Sequence, residues 1–198
     1  MLNEKSFQEL EEITERDVLL GVINRFIGLF SRRIQRATLN QTDIEYPFVA
    51  MDTRQVLDQL LFVSSYIHAS WRSAGELPKF VDIGCGFGNV MLFAEQMDFQ
   101  VFGLEKDEAS LEVARSLFEP EQLIQEDIRN YTGYDRFDVI YYFCPLTEGQ
   151  REFERFVEDR MKKGAILIAN YKRSQDINED RRFRRLSGDL PVWEKVSY

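Results

Sequence analysis

The chain has 198 residues, 44% hydrophobic and 30% charged, which suits a soluble globular protein with one α/β domain and an N-terminal extension. A formal net charge of −9 argues against a non-specific nucleic-acid binder, which would be basic, while leaving room for a local basic site. Two cysteines and one histidine offer no metal-ligand spacing; with an acidic, polar N-terminus instead of a signal peptide, they point to a reduced, cytoplasmic setting.

Residues 1–45 are expected to form the helical extension. Asn3 to about Arg36 reads as helix, in two segments or in one with a bend at Gly21, and Thr14-x-x-Asp17 has the form of a capping box with Asp in place of Glu. Leu19, Val22, Ile23, Phe26, Ile27, Phe30 and Ile34 recur at three- and four-residue steps and make a wide apolar stripe. The run Val18 to Phe30 is too short to span a bilayer. The stripe is expected to pack on the domain or on a second subunit, as in a homodimer. Arg25, Arg32, Arg33 and Arg36 make peripheral membrane contact the alternative. A loop over 39–52 follows, with Tyr46-Pro47-Phe48 placed near a ligand mouth. Thr53 is expected to cap a helix reaching about Ala74, with Val56, Leu60, Val63 and Ile67 as its stripe.

Phe80 to Asn89 reads F-V-D-I-G-C-G-F-G-N, a buried strand, a tight turn and a helix start. The alternating Gly84, Gly86 and Gly88 let the turn adopt unusual φ and leave its backbone open to a ligand. The N–H groups of the following helix start add a weak positive pole. Val101 to Glu105 reads as the next strand, ending in an acid about twenty residues after the turn, where a ribose-binding carboxylate is expected. A dinucleotide fingerprint would place its third glycine at position 89, which is Asn89, and this disfavours a nicotinamide oxidoreductase.

Further on, Asp107 to Phe118 is predicted as helix and Leu123 to Gln125 as a third strand, followed by Glu126-Asp127-Ile128. Phe137 to Tyr142 is the fourth strand, leading into Phe143-Cys144-Pro145-Leu146. Glu148 to Met161 is helix, and Lys162-Lys163-Gly164 turns the chain into a fifth strand, Ala165 to Asn170. Arg181 to Leu186 and Val192 to Tyr198 read as an antiparallel hairpin. Lys172 to Arg185 carries six basic residues among three acids, a solvated strand face or an anionic-substrate patch. Alternating strands and helices predict an α/β fold, a mainly parallel sheet with helices on both faces.

On Asp82, the three glycines and Glu105, the sequence resembles the class I, Rossmann-like methyltransferases with a seven-stranded sheet that use S-adenosylmethionine. The resemblance covers roughly residues 46–198, which are expected to form the cofactor-binding domain. It implies a cofactor site of Asp82, Gly84, Cys85, Gly86, Glu105, Lys106, Asp127, Ile128 and Tyr142. In it the Gly84–Gly88 backbone approaches the amino-acid part of the cofactor, Glu105 holds the ribose, and Asp127 with Ile128 holds adenine. Tyr142 and Phe143 are the catalytic candidates, an aromatic wall at the reacting end that can steady a methylsulfonium through its π faces. Methyl transfer is an in-line displacement, so positioning and desolvation can supply much of the rate without a dedicated base. Members acting on adenine or glutamine carry Asp or Asn followed by Pro-Pro-aromatic where this chain has Phe143-Cys144-Pro145-Leu146, which counts against those acceptors. Residues Phe48 to Leu61 and the Cys-Pro strand end are loosely similar to the ATP-synthase c-subunit type of lysine methyltransferase. A protein lysine or a small molecule is therefore the expected acceptor. The alternative of another class is a non-catalytic S-adenosylmethionine-binding module that acts through a partner protein.

Overall fold

Short apolar runs at Lys79–Ile83 (β1), Gln100–Glu105 (β2), Leu123–Gln125 (β3), Val139–Phe143 (β4) and Ile166–Asn170 (β5) pair in parallel. Phe183–Arg185 (β6) and Val192–Lys195 (β7) close the sheet as an antiparallel hairpin, with β7 against β5. The strand order is β3-β2-β1-β4-β5-β7-β6. The order turns between β1 and β4, so the connections leaving these two neighbours diverge and open a crevice at their carboxyl ends. These observations come from a computed structural model, which describes residues 14–39, 45, 49–70 and 75–198.

Among the described residues five α-helices surround the sheet: Glu15–Ala37 (α1), Thr53–Ser70 (α2), Asn89–Glu95 (α3), Glu108–Ala114 (α4) and Gln150–Arg160 (α5). Side-chain alternation along the strands divides the core into two layers. Phe80, Val101, Val139, Tyr141, Ile166 and Ile168 face one layer with Val56, Leu60 and Val63 of α2 and Met91 of α3. Val81, Leu104, Ile140, Tyr142 and Leu167 face the other, with Phe153 and Val157 of α5. Both faces of the central strands are therefore dry, which is why β4 and β5 read as continuous apolar runs.

The capping box at Thr14 forms in both directions: the Thr14 hydroxyl accepts from the Asp17 N–H at 3.2 Å, and the Asp17 carboxylate accepts from the Thr14 N–H at 3.1 Å. From there α1 runs through Gly21 as one continuous helix, so it is not divided there into two segments; the part of the predicted helix before Thr14 lies outside the described residues. Thr53 does not cap α2. Asp52 does, its Oδ1 accepting from the N–H groups of Arg54 and Gln55 at 2.9 and 3.4 Å, while the Thr53 N–H donates to Asn24 of α1 at 3.0 Å. The end expected for α2 near Ala74 lies outside the described residues.

The apolar stripe of α1 also divides. Ile27 and Ile34 turn inward and pack with Phe87, and Leu20 is also buried, while Leu19, Val22, Phe26 and Leu29 remain exposed. The basic segment after β5 is tied down internally: Lys172 is buried between Glu154 and Glu158, and Arg182 pairs with Asp159 and Asp180.

Candidate active site at the carboxyl ends of β1, β2 and β4

The turn after β1 is held against β2 by its own backbone. The N–H groups of Gly84 and Cys85 both donate to the Leu104 carbonyl, at 2.8 and 3.2 Å, and Gly88 closes the turn by donating to Cys85 at 2.9 Å. Gly88 has φ +88°, and a Cβ there would stand 2.3 Å from the Phe118 ring. Only glycine meets both demands. At this position the backbone needs the glycine for packing as well as for its dihedral.

Above the turn lies a cavity of about 520 Å³, in the range of small-molecule sites. Asp82, Gly84 and Cys85 from the first motif line it, with Glu105 and Lys106 from the end of β2, Asp127 and Ile128 after β3, and Phe143 at the end of β4. The tertiary fold thus gathers eight of the residues singled out in the sequence. Gly86 stays outside the lining and donates its N–H to Glu105 at 3.0 Å. Tyr142 is a correction. Alternation along β4 turns its ring to the opposite layer, 5.5 Å from Phe153, with its hydroxyl buried and without a partner among the described residues. Its neighbour Tyr141 takes the place in the lining and donates its hydroxyl to the Met51 sulfur at 2.8 Å.

Glu105 is the anchor. Its Oε2 accepts from Gly86, and its Oε1 accepts from the N–H groups of Lys106 and Asp107, both at 2.8 Å. Burial raises its pKa above the ordinary carboxylate range, against the pull of these three donors. Asp82, deeper in the floor, is pushed up to about 8 by burial and then by the nearby negative charge of Glu105. The unfolded chain releases this proton near 3.8 and the folded chain near 8, so Asp82 costs the fold stability as pH rises through that window. Asp82→Asn is expected to gain on the wild type by up to about 1.4 kcal/mol per pH unit across it. Urea midpoints of both proteins at the two ends of the window check this, and a pH-independent difference would place Asp82 in the ordinary range.

Asp127 is clamped from two sides. Arg129 donates to both of its oxygens, from Nε at 3.1 Å and Nη2 at 2.8 Å, and Lys106 reaches it at 3.4 Å. The Arg129 hydrogen bonds foremost hold its carboxyl well below the usual range. The same Arg129 and Lys106 grip Glu45, which pairs with Leu146 in an isolated antiparallel bridge and lines the cavity with Asp127. Glu45 Oε1 takes both cations, while its Oε2 is buried without a partner among the described residues. Sequence reasoning missed Glu45 because it lies 61 and 84 residues from these partners and follows no motif. Tyr46-Pro47-Phe48, expected at the mouth, lie outside the described residues.

The far end is aromatic. Phe143 and Tyr171 stand edge to face, with centroids 5.3 Å apart, and Cys144, Pro145 and Arg173 complete the lining. Arg173 also donates to the Thr147 carbonyl at 3.0 Å. Cys144 and Tyr171 have φ of +31° and +52°, two of the three positive-φ residues other than glycine among the described residues. Strain of this kind collects where surrounding structure holds a site in shape. Tyr141 could have been found from Phe143 by strand alternation; Tyr171 and Arg173 had no signal beyond following a strand. The lining as a whole is rich in acceptors (Asp82, Glu105, Glu45, Asp127) at one end and in aromatic rings at the other. It suits a ligand with several N–H and O–H donors or a positive charge.

The chain is similar to known proteins over part of its length. Residues 80–161 match the family model described as a methyltransferase domain. Over 96 residues the chain is 29% identical to the candidate methyltransferase YqeM of Bacillus subtilis (strain 168), covering 45% of this chain and 39% of YqeM. The plantazolicin methyltransferase BpumL, solved with a triazolic desmethylPZN analog and SAH, is 18% identical with a TM-score of 0.49, over 60% of this chain and 47% of BpumL. CalS10, an amino pentose methyltransferase from Micromonospora echinaspora solved with SAM, is 22% identical with a TM-score of 0.43, over 58% of this chain and 50% of CalS10. The chain thus spans about half or less of the length of the proteins it matches. The architecture is that of the class I, Rossmann-like methyltransferases with a seven-stranded sheet.

Proposed function

We propose that this chain is an S-adenosylmethionine-dependent methyltransferase. The observation that carries the reading is Glu105, fixed by three backbone N–H groups beside the Gly84–Gly88 turn, over a cavity at the β1/β4 switch point. When bound, the cofactor supplies a methyl group on a sulfonium centre, and S-adenosylhomocysteine remains after transfer. In this reading residues 46–198 are the catalytic domain and residues 1–45 an extension whose Glu45 reaches back to the cavity. Glu105 accepts from the ribose hydroxyls, and the turn from Asp82 through Gly84 and Cys85 takes the amino-acid end. Ile128 flanks adenine, and Asp127, with Glu45 beside it, lies at its amino group.

Phe143 and Tyr171 wall the reacting end in place of Tyr142. They exclude water from the acceptor, orient it in line with the methyl group and present π faces to the positive charge. Cys144-Pro145, in place of an amide-binding Asp-Pro-Pro, leaves the acceptor end without a carboxylate of its own. This favours an acceptor selected by shape and apolar contact: a protein lysine, as the c-subunit-type enzymes take, or a small molecule.

Transfer of labelled methyl groups from S-adenosylmethionine into a lysate of the source cell, followed by fractionation, tests the reading. Label in a discrete protein, recovered as methyl-lysine, identifies the lysine acceptor; label in the small-molecule fraction identifies the other. Tight binding of S-adenosylhomocysteine without any label would replace the enzyme by a non-catalytic module acting through a partner, and no binding at all would sink both.

A further inference from the structure

The outward face of α1 has no occupant among the described residues, and its chemistry specifies one. Along this face lie Glu15, Leu19, Val22, Phe26, Leu29 and Arg33. Their separations alternate between four and three residues, the spacing that keeps one seam facing a partner helix. The four apolar members are 60%, 48%, 60% and 52% exposed, although they sit on a well-capped, 23-residue helix whose opposite side is docked. Such a contiguous apolar face on a fixed helix marks an interaction surface.

We propose that the occupant is a second copy of this chain, with the two α1 helices packed antiparallel about a two-fold axis between Val22 and Phe26. That arrangement sets Val22 against Phe26, Leu19 against Leu29, and Glu15 against Arg33, each pair occurring twice by symmetry. Glu15 and Arg33 are exposed and, among the described residues, lie outside the ion pairs of α1, which join Arg16 to Asp58 and Arg54 to Asp17. A parallel pairing would place Glu15 on Glu15 and Arg33 on Arg33, so charge selects the antiparallel register. Arg32, Arg33 and Arg36 gather toward the C-terminal end of α1, and the acids Glu15 and Asp17 lie on its first turn, where Arg16 is paired with Asp58. Such a helix complements its own reverse better than it complements a uniformly anionic lipid surface, which would also meet the net charge of −9 of the whole chain.

Sedimentation velocity over a range of concentrations, with circular dichroism as a check on folding, tests the proposal. The wild type is expected to reach twice the 23.4 kDa of the chain, and Phe26→Glu to remain at the single mass. Glu15→Arg alone and Arg33→Glu alone each create like-charge contacts and should weaken association by at least about tenfold. The double variant Glu15→Arg with Arg33→Glu restores opposite charges only in the antiparallel register, and should recover association to within about threefold of the wild type. A wild type that stays at the single mass at every concentration overturns the proposal. So does a double variant no better than its parents, or a wild type that stays at the single mass while sedimenting with vesicles of anionic phospholipid.

Discussion

Replacing Glu105 by Ala is expected to weaken the binding of S-adenosylhomocysteine by about 1.5–3 kcal/mol, roughly ten- to a hundredfold, the range for lost hydrogen bonds to a charged group. Two losses add. The ribose hydroxyls lose their acceptor, and the N–H groups of Gly86, Lys106 and Asp107 lose the carboxylate that fixes the turn and the start of α4. The second loss is also one of stability, so affinity is to be measured well below the melting temperature of the variant. Titration calorimetry reads the effect directly, and an unchanged affinity would remove Glu105 from the site. The same titration ranks the two acids at the adenine end. Both oxygens of Asp127 are already taken by Arg129 and Lys106, whereas one buried oxygen of Glu45 has no partner among the described residues. Glu45→Gln is therefore expected to cost at least as much affinity as Asp127→Asn.

Lys172→Met should lower the melting temperature by about 10 °C. The Lys172 ammonium is buried between two buried carboxylates, 3.1 Å from Glu154 and 2.7 Å from Glu158. Glu154 further accepts from the N–H groups of Arg173 and Ser174, at 2.8 and 2.7 Å, so the cluster pins the chain just after β5. Removing the cation leaves two dry negative charges facing each other, a change that costs about 3–5 kcal/mol when a buried pair is broken. For a chain of this length that corresponds to roughly 6–20 °C. The pH dependence carries a sign. Burial already raises the Glu158 pKa, and losing the Lys172 charge that opposes this would raise it further in the folded chain. The variant is then least impaired in acid and loses ground as pH rises from the ordinary carboxylate range toward the raised Glu158 value. Thermal melts at acid and neutral pH check it; a deficit that does not grow with pH would show that the carboxylates are not charged against Lys172. Because Tyr171 and Arg173 flank this cluster in the chain and line the cavity, the aromatic end of the site should loosen before the fold melts.

Much of this protein was decided locally and was therefore legible in the sequence. The run of strand, glycine turn and helix at Phe80 to Asn89 specifies its own shape. The dihedrals of alternating glycines and the apolar strand before them leave few alternatives. The capping box at Thr14 closes within three residues, and the boundaries of β3 and the hairpin of β6 and β7 follow from short-range patterning. Asp82, Glu105 and Asp127 were found at strand ends because, in a sheet of this order, strand ends meet the cavity.

What the tertiary structure alone decided depends on contacts between distant segments. Alternation joins Tyr141 to Phe143 and sets Tyr142 opposite, but which of the two faces of β4 looks toward α2 and the cavity is unmarked in an apolar run buried on both sides. Glu45 enters the site through partners at Lys106 and Arg129, far along the chain, and Lys172 leaves the basic surface because Glu154 and Glu158 on α5 neutralise it. The broad stripe on α1 gave no hint of its division into a docked and an open face, since helical period records that residues share a side but not what covers it. Motifs closed by the backbone within a turn or two were readable from the residues themselves. Charge pairs and packing partners joined across the sheet became definite only once the whole chain was folded.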